Sequence, residues 1–140
     1  MKISARNSLA GKVTKVVKGA VNSEVDLTLT GGEKVVAIIT NSSAAGLGLK
    51  EGTAAYAIIK ASDVMVGKDV GKVSARNVLG GTVAQVEDGA VDSVVTLKLS
   101  GGTTVVAVIT KESVKSLGLK DGDAASAIIK ASHVMVGVDH

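Results

Sequence analysis

The strongest pattern along this chain is a period-two alternation of apolar and polar residues. Residues 21–29 alternate in this way, from Val21 to Leu29, which predicts a half-buried antiparallel strand. A Gly-Gly pair at 31–32 predicts a hairpin turn, and the alternation resumes over 35–39 on a returning strand. An earlier strand, which carries Val13 and Val16, is expected to end near residue 18.

The alternation is interrupted once by a short segment with helical character. Its clearest copy is 110–117, where Thr110 is placed to cap the helix and Gly118 or Gly122 to end it. Residues 124–130 and 134–136 then predict two further strands. Each 70-residue unit therefore predicts five short strands with one helical turn after the third.

The chain is an internal repeat with an offset of 70 residues and no insertion or deletion. About six in ten aligned positions are identical. We predict two domains, residues 1–68 and 72–140, joined by a very short linker and packed against each other. The predicted fold is all-β, with two tandem OB-like five-stranded antiparallel barrels, each with one short helical turn.

Composition limits how such a unit can be stabilised. Tyr56 is the only aromatic residue, so the core must consist of Val, Ile, Leu and Ala. A 70-residue unit with so little buried area per residue is marginal alone, and we expect a homo-oligomer. The chain has no Cys, which excludes disulfides, thiolate metal sites and cysteine nucleophiles.

Several functional classes are disfavoured. The sequence lacks a secretory signal and a long apolar run, so we expect a cytoplasmic protein without membrane contact. The net charge of +3 is mild, and one aromatic residue offers no base-stacking platform, so nucleic acid is not an expected partner. No general base stands beside a nucleophile, and two histidines, His133 and His140, make a weak metal case. We predict no enzyme, no catalytic residues, no cofactor and no metal ligands.

One motif predicts chemistry. Ser4-Ala5-Arg6 opens the first repeat, and Ser74-Ala75-Arg76 opens the second. Ser4 and Arg6 are two apart, so in an extended segment both side chains project to the same side. A guanidinium and a hydroxyl together suit an oxyanion. The alternative is a solvated arginine beside a turn serine, which a single copy of the motif would favour and which its recurrence weakens.

Further donors recur at the ends of other strands. Thr40 and Ser43 lie at the start of the helical turn, where backbone N–H groups lack partners, and Lys60 and Ser62 share one side of an extended segment. Helix capping and a solvated lysine are the structural alternatives. The corner at Gly19-Ala20-Val21, with its copy Gly89-Ala90-Val91, offers close backbone approach, although from the sequence alone a tight turn is the preferred interpretation.

These motifs resemble those of the Mop-type molybdate-binding domain, a small relative of the TOBE domain. The resemblance is carried by Ser-Ala-Arg-Asn, the Gly-Ala-Val corner, the Leu-Gly-Leu-Lys-x-Gly turn and the Lys-Ala-Ser strand end, and covers nearly the whole chain. The tandem arrangement is similar to di-Mop molbindins of the ModG type. It implies binding of molybdate or tungstate without catalysis, for storage or homeostasis, in a trimer.

The resemblance also implies where the anions bind. The main sites would lie between lobes of neighbouring subunits, with Ser4, Ala5 and Arg6 on one side. The full implied set is Ser4, Ala5, Arg6, Thr40, Ser43, Lys60, Ala61 and Ser62, with Ser74, Ala75, Arg76, Thr110, Ser113, Lys130, Ala131 and Ser132 in the second repeat. A further axial site would use Gly19, Ala20 and Val21, and Gly89, Ala90 and Val91.

Two points qualify these implications. Asn22 becomes Asp92 in the second repeat, and a carboxylate beside an axial anion opposes its binding. An alternative function is a ligand-sensing regulatory module, since transporters and regulators of molybdate also use TOBE domains. The chain has neither a nucleotide-binding loop nor a helix-turn-helix region, which favours storage.

Overall fold

A computed structural model describes all 140 residues, and its elements follow the same order in both repeats. The first repeat forms β1 Asn7–Lys18, β2 Asn22–Leu29, β3 Lys34–Thr40, α1 Asn41–Gly46, β4 Ala54–Ile59, a 3₁₀ turn Ala61–Asp63 and β5 Met65–Gly67. The second repeat forms β6 Asn77–Asp88, β7 Asp92–Leu99, β8 Thr104–Thr110, α2 Lys111–Leu117, β9 Ala124–Ile129, a 3₁₀ turn Ala131–His133 and β10 Met135–Gly137.

The strands form two five-stranded sheets in which all neighbours are antiparallel. The strand order is β10-β4-β1-β2-β3 in one sheet and β5-β9-β6-β7-β8 in the other. This arrangement, with one short helix after the third strand of each repeat, confirms the predicted fold class. The helix caps follow the prediction too, since Thr110 accepts a hydrogen bond from the Ser113 amide at 3.0 Å and Gly118 ends α2 with φ +61°.

The two repeats exchange their last strands. β10 pairs with β4 of the first repeat, with Val136 opposite Ala57, and β5 pairs with β9 of the second, with Val66 opposite Ala127. Just before each exchanged strand, the 3₁₀ turn packs against an outer strand of the other sheet and redirects the chain across the molecule. Each sheet therefore needs a strand from the other repeat. The boundaries 1–68 and 72–140 remain a prediction about folding units.

The core consists of small aliphatic side chains from both repeats. It forms one continuous cluster, in which Leu27 and Ile59 of the first repeat and Leu97 and Ile129 of the second are fully buried. The alternation in β2 is confirmed from Ser23 onward, but Val21 lies before the strand and is 71% exposed. Because Val21 lies in the corner between β1 and β2, outside the strand, the buried face of β2 does not extend to it.

The two β-hairpin tips meet between the repeats. Gly31 and Gly101 approach so closely that a Cβ atom on Gly101 would overlap the Gly31 carbonyl oxygen. Glu33 accepts hydrogen bonds from the Thr103 hydroxyl at 2.6 Å and from the Gly101 amide at 3.1 Å. The contact is asymmetric, because Thr103 occupies in the second repeat the position that Glu33 has in the first.

Candidate anion-binding site

The asparagine that ends each Ser-Ala-Arg-Asn motif anchors the motif to the opposite sheet. The Asn7 amide donates to the Val106 carbonyl at 2.8 Å and accepts from the Val106 N–H at 2.7 Å. Asn77 makes the same pair of bonds with Val36, both at 2.8 Å. Both asparagines are buried, and Val106 and Val36 lie on edge strands β8 and β3. The amide thus substitutes for a missing neighbouring strand and fixes the motif in place.

The Arg6 cavity, of about 460 Å³, forms beside the first motif. It brings Ser4, Ala5 and Arg6 together with the Lys60-Ala61-Ser62 segment of the same repeat. Its remaining wall is apolar and consists of Ile3, Val108 and Met135. The last two belong to the second repeat, so this cavity lies at the junction of the two halves.

The Arg76 cavity, of about 420 Å³, is its counterpart in the second repeat. Ser74, Ala75 and Arg76 again share it with the Lys-Ala-Ser segment, here residues 130–132. Its apolar wall consists of Ile38, Met65, Val73 and Ile128. The repeat thus builds the same cavity twice, and each copy holds one arginine, one lysine and two serine hydroxyls.

The two arginines differ in their electrostatic surroundings. Arg76 donates from Nη1 to the Glu24 carboxylate at 2.8 Å, and this bond lowers the pKa of Glu24 and raises that of Arg76. Burial, followed by the nearby Glu24 charge, raises the pKa of Asp26 on the same strand. Arg6 takes part in none of the salt bridges or side-chain hydrogen bonds of the molecule.

The helix-cap residues lie apart from the motif of their own repeat. Thr40 and Ser43 line a separate depression of about 380 Å³, which Ser132 of the second repeat also lines. Ser113 lies in the corresponding depression, which Met65 also lines. The Thr40 hydroxyl accepts from the Ser43 amide at 3.1 Å and donates to the Ser43 hydroxyl at 2.9 Å. Capping is therefore their role within this chain, and their part in an anion site stays a prediction.

The Gly-Ala-Val corners are exposed and differ between the repeats. The Gly19 amide donates to the Asn22 carbonyl at 2.8 Å, and a Cβ atom on Gly19 would lie 2.7 Å from that oxygen. A tight turn therefore accounts for the glycine. Around the second corner, Asp88 and Asp92 replace Lys18 and Asn22, which makes that surface more acidic.

Comparisons with known proteins identify the family of the chain. The TOBE domain model matches residues 3–66 and 73–136, which covers nearly the whole chain. The chain belongs to the TOBE-domain family. Its relatives include the molybdenum-pterin-binding protein MopA of Rhodobacter capsulatus, 46% identical over 99% of this chain and 53% of MopA. The molybdenum transport protein ModE of Herbaspirillum seropedicae is 41% identical over 99% of this chain and 52% of ModE.

A solved structure extends the match to the full fold. The cytoplasmic molybdate-binding protein ModG, crystallised with molybdate bound, superposes with a TM-score of 0.95 at 50% identity, over 99% of both chains. This likeness covers both TOBE domains. By contrast, the chain spans about half the length of the curated relatives MopA and ModE.

Sequence reasoning missed part of the surroundings of the TOBE motifs. It gave no role to Asn7 and Asn77, although they recur within the motif, and it placed no apolar residue beside the arginines. The repeated Val-Met-Val-Gly segment was a signal for Met65 and Met135. Their cavities could not be inferred, because Met135 reaches the Arg6 cavity only through the strand exchange.

Two kinds of feature are absent from the structure. No group of three or more His, Cys, Asp or Glu side chains is placed to hold a metal ion. None of the helices has the length and apolar character needed to cross a membrane.

Proposed function

We propose that this chain binds molybdate or tungstate reversibly, without catalysis, and serves as a cytoplasmic store for the anion. The observation that carries the proposal is the duplicated cavity, in which an arginine, a lysine and two serines converge. No carboxylate is among the lining residues of either cavity, and one carboxylate, that of Glu24, reaches a lining arginine, Arg76, from beside the cavity. A tetrahedral dianion needs several donors and positive charge, and such a cavity supplies both. The molybdate bound by ModG, at 50% identity, supports the same ligand class.

We further propose that the binding form is an oligomer, and a trimer by resemblance. Both cavities have half-exposed apolar residues at their walls, namely Ile3 and Met135 in one and Val73 and Met65 in the other. Exposed apolar side chains around a charged cavity favour burial by another subunit. A second subunit would also bring further donors, such as Thr40 and Ser43, to a cavity that one chain leaves open.

A ligand-sensing role is the second candidate. The similarity to ModE, named as a molybdenum transport protein, favours it. Such a module would pass the bound state to another domain or protein, whereas a store would only retain and release the anion. Affinity capture from an extract of the source cells, with and without molybdate, separates the two: a specific partner that appears or leaves with the ligand supports sensing.

The test of binding is equilibrium dialysis against molybdate, followed by elemental analysis of the retained molybdenum and by the mass of the protein in solution. We expect retention, and a melting temperature that rises with ligand concentration because the ligand binds the folded state. Arg6→Ala and Arg76→Ala should each lose one set of sites, and Lys98→Ala, which removes a cation outside both cavities, should lose none. Unchanged uptake in the double arginine variant would contradict the proposal.

A further inference from the structure

The two cavities are lined by equivalent residues, with conservative apolar differences such as Ile3 for Val73 and Val108 for Ile38 and with Ile128 added in the Arg76 cavity. The charged difference lies beside them. Glu24 is on β2, opposite Ile38 of β3, and its carboxylate reaches Arg76 from the other repeat. The equivalent position in the second repeat is Val94, opposite Val108, and it can offer Arg6 no carboxylate.

The Glu24–Arg76 pair has the geometry of a charge-assisted hydrogen bond. The Nη1 to Oε1 distance is 2.8 Å, and the side chains of Arg76 and Glu24 are 49% and 25% exposed. An incoming oxyanion at Arg76 must share the guanidinium with this carboxylate or displace it, and meets the repulsion of its negative charge. Asp26, two residues along the same strand, adds a second acidic group. The positive charge of Lys15 partly offsets the negative charges of Glu24 and Asp26.

The proposal rests on the proposed function and deepens it. We propose that Glu24 is an internal competitor for the guanidinium of Arg76, so that the chain carries two unequal oxyanion sites. The Arg6 cavity is open and fills first. In the Arg76 cavity the guanidinium is already paired with the Glu24 carboxylate, so this cavity fills at higher anion concentration. An exposed ion pair is a modest competitor, and we expect a difference in affinity of roughly twofold to fivefold.

The sequence supplies a reciprocal test, because each repeat already contains the residue that the other needs. Molybdate binding is measured by equilibrium dialysis or calorimetry on the full chain. Arg6→Ala should remove the tighter class of sites and Arg76→Ala the weaker class. Glu24→Val should then strengthen the weaker class by about twofold to fivefold, while Val94→Glu should weaken the tighter class by a similar factor.

Two further variants keep the result unambiguous. Glu24→Gln retains the shape of the side chain and removes only its charge, so it should reproduce most of the gain even if Glu24→Val disturbs β2. Glu51→Gln removes a carboxylate from an exposed turn away from both cavities, and it should leave both classes unchanged.

Three results would overturn the proposal. One is a weaker class that does not respond to either Glu24 variant, and another is loss of the tighter class in Arg76→Ala. Either would leave the proposed function intact, since molybdate is still bound. The third is a wild-type chain that retains no molybdate, which would remove the proposed function and this inference together.

Discussion

The two repeats differ mainly in the charges around their sites and very little in the sites themselves. Residues 1–70 carry nine Lys and Arg against six Asp and Glu, whereas residues 71–140 carry seven of each. The Ser-Ala-Arg-Asn and Lys-Ala-Ser segments are identical, but Glu24, Lys18 and Glu33 are replaced by Val94, Asp88 and Thr103. The duplicated fold therefore keeps the polar groups that line the cavities constant and varies the electrostatic field around them.

The largest effect we expect comes from the asparagines that are common to both repeats. Asn7→Ala would leave the N–H and the carbonyl of Val106 without partners. It would also remove the 3.2 Å hydrogen bond that the Asn7 amide donates to the Ile59 carbonyl. Asn77→Ala would free only the two groups of Val36. A fully buried polar group without a partner costs about 1–3 kcal/mol. The groups of Val36 and Val106 are only partly buried, so we expect a smaller total loss of unfolding free energy, of about 2–4 kcal/mol, larger for Asn7. Urea denaturation at one fixed protein concentration measures it.

Asn22→Ala is the matched control for this comparison. Asn22 lies at the exposed start of β2 and makes no side-chain hydrogen bond, so its removal should change stability by less than about 0.5 kcal/mol. Equal, small effects at positions 7, 22 and 77 would contradict the anchoring role.

The strands, the strand exchange and the Glu24–Arg76 pair illustrate where sequence reasoning succeeds and fails. Period-two alternation around Val25 and Leu27 was enough to predict the strands, since one buried face imposes that pattern. The 70-residue offset predicted that every feature recurs. The strand exchange was not predictable, because Met65 and Met135 have the same local signal whichever sheet they join. The Glu24–Arg76 pair was missed because it joins residues 52 positions apart in different repeats.

The hairpin tips give the next largest expected effect. A Cβ atom on Gly101 would overlap the Gly31 carbonyl oxygen most closely. One on Gly31 would first meet the side chains of Glu33 and Thr103 and would lie 2.8 Å from the Gly101 carbonyl oxygen, which is a weaker overlap with the backbone. Gly101→Ala should therefore cost about 1–3 kcal/mol of stability, and Gly31→Ala less. Thermal unfolding of both variants measures this order.

Gly46→Ala serves as the control for the glycine pair. Gly46 ends α1 with open space around its Cα, so alanine should be neutral or slightly stabilising there. A Gly101→Ala variant as stable as Gly46→Ala would show that the two tips do not press against each other in solution.

A smaller effect is expected at the Gly-Ala-Val corners, where the family resemblance implies axial anions. Asp92→Asn should strengthen molybdate binding at the second corner, and Asn22→Asp should weaken it at the first, each by about twofold to fivefold. Both variants are tested by dialysis in the Arg6→Ala, Arg76→Ala background, where the main sites are removed. If raised salt does not reduce the difference in molybdate affinity between the two variants, that difference is not electrostatic in origin.

The smallest expected effect is a pH dependence that separates Glu33 from Thr103. Burial tends to raise the pKa of Glu33, but the hydrogen bonds that its carboxylate accepts from Thr103 and the backbone outweigh burial and hold it below the ordinary value. A carboxyl with a lower pKa in the folded state stabilises the fold fully above its unfolded value, about pH 4.3, and this contribution is lost as pH falls through the folded value. Because the group is at the surface, we expect less than about 1 kcal/mol.

Urea denaturation from pH 7 to pH 3 should therefore show a smaller loss of stability at acid pH in Glu33→Gln than in the wild type. Glu51→Gln, which alters an exposed carboxyl in a turn, should follow the wild type. Parallel curves for all three proteins would mean that the asymmetric contact between the tips contributes nothing to stability.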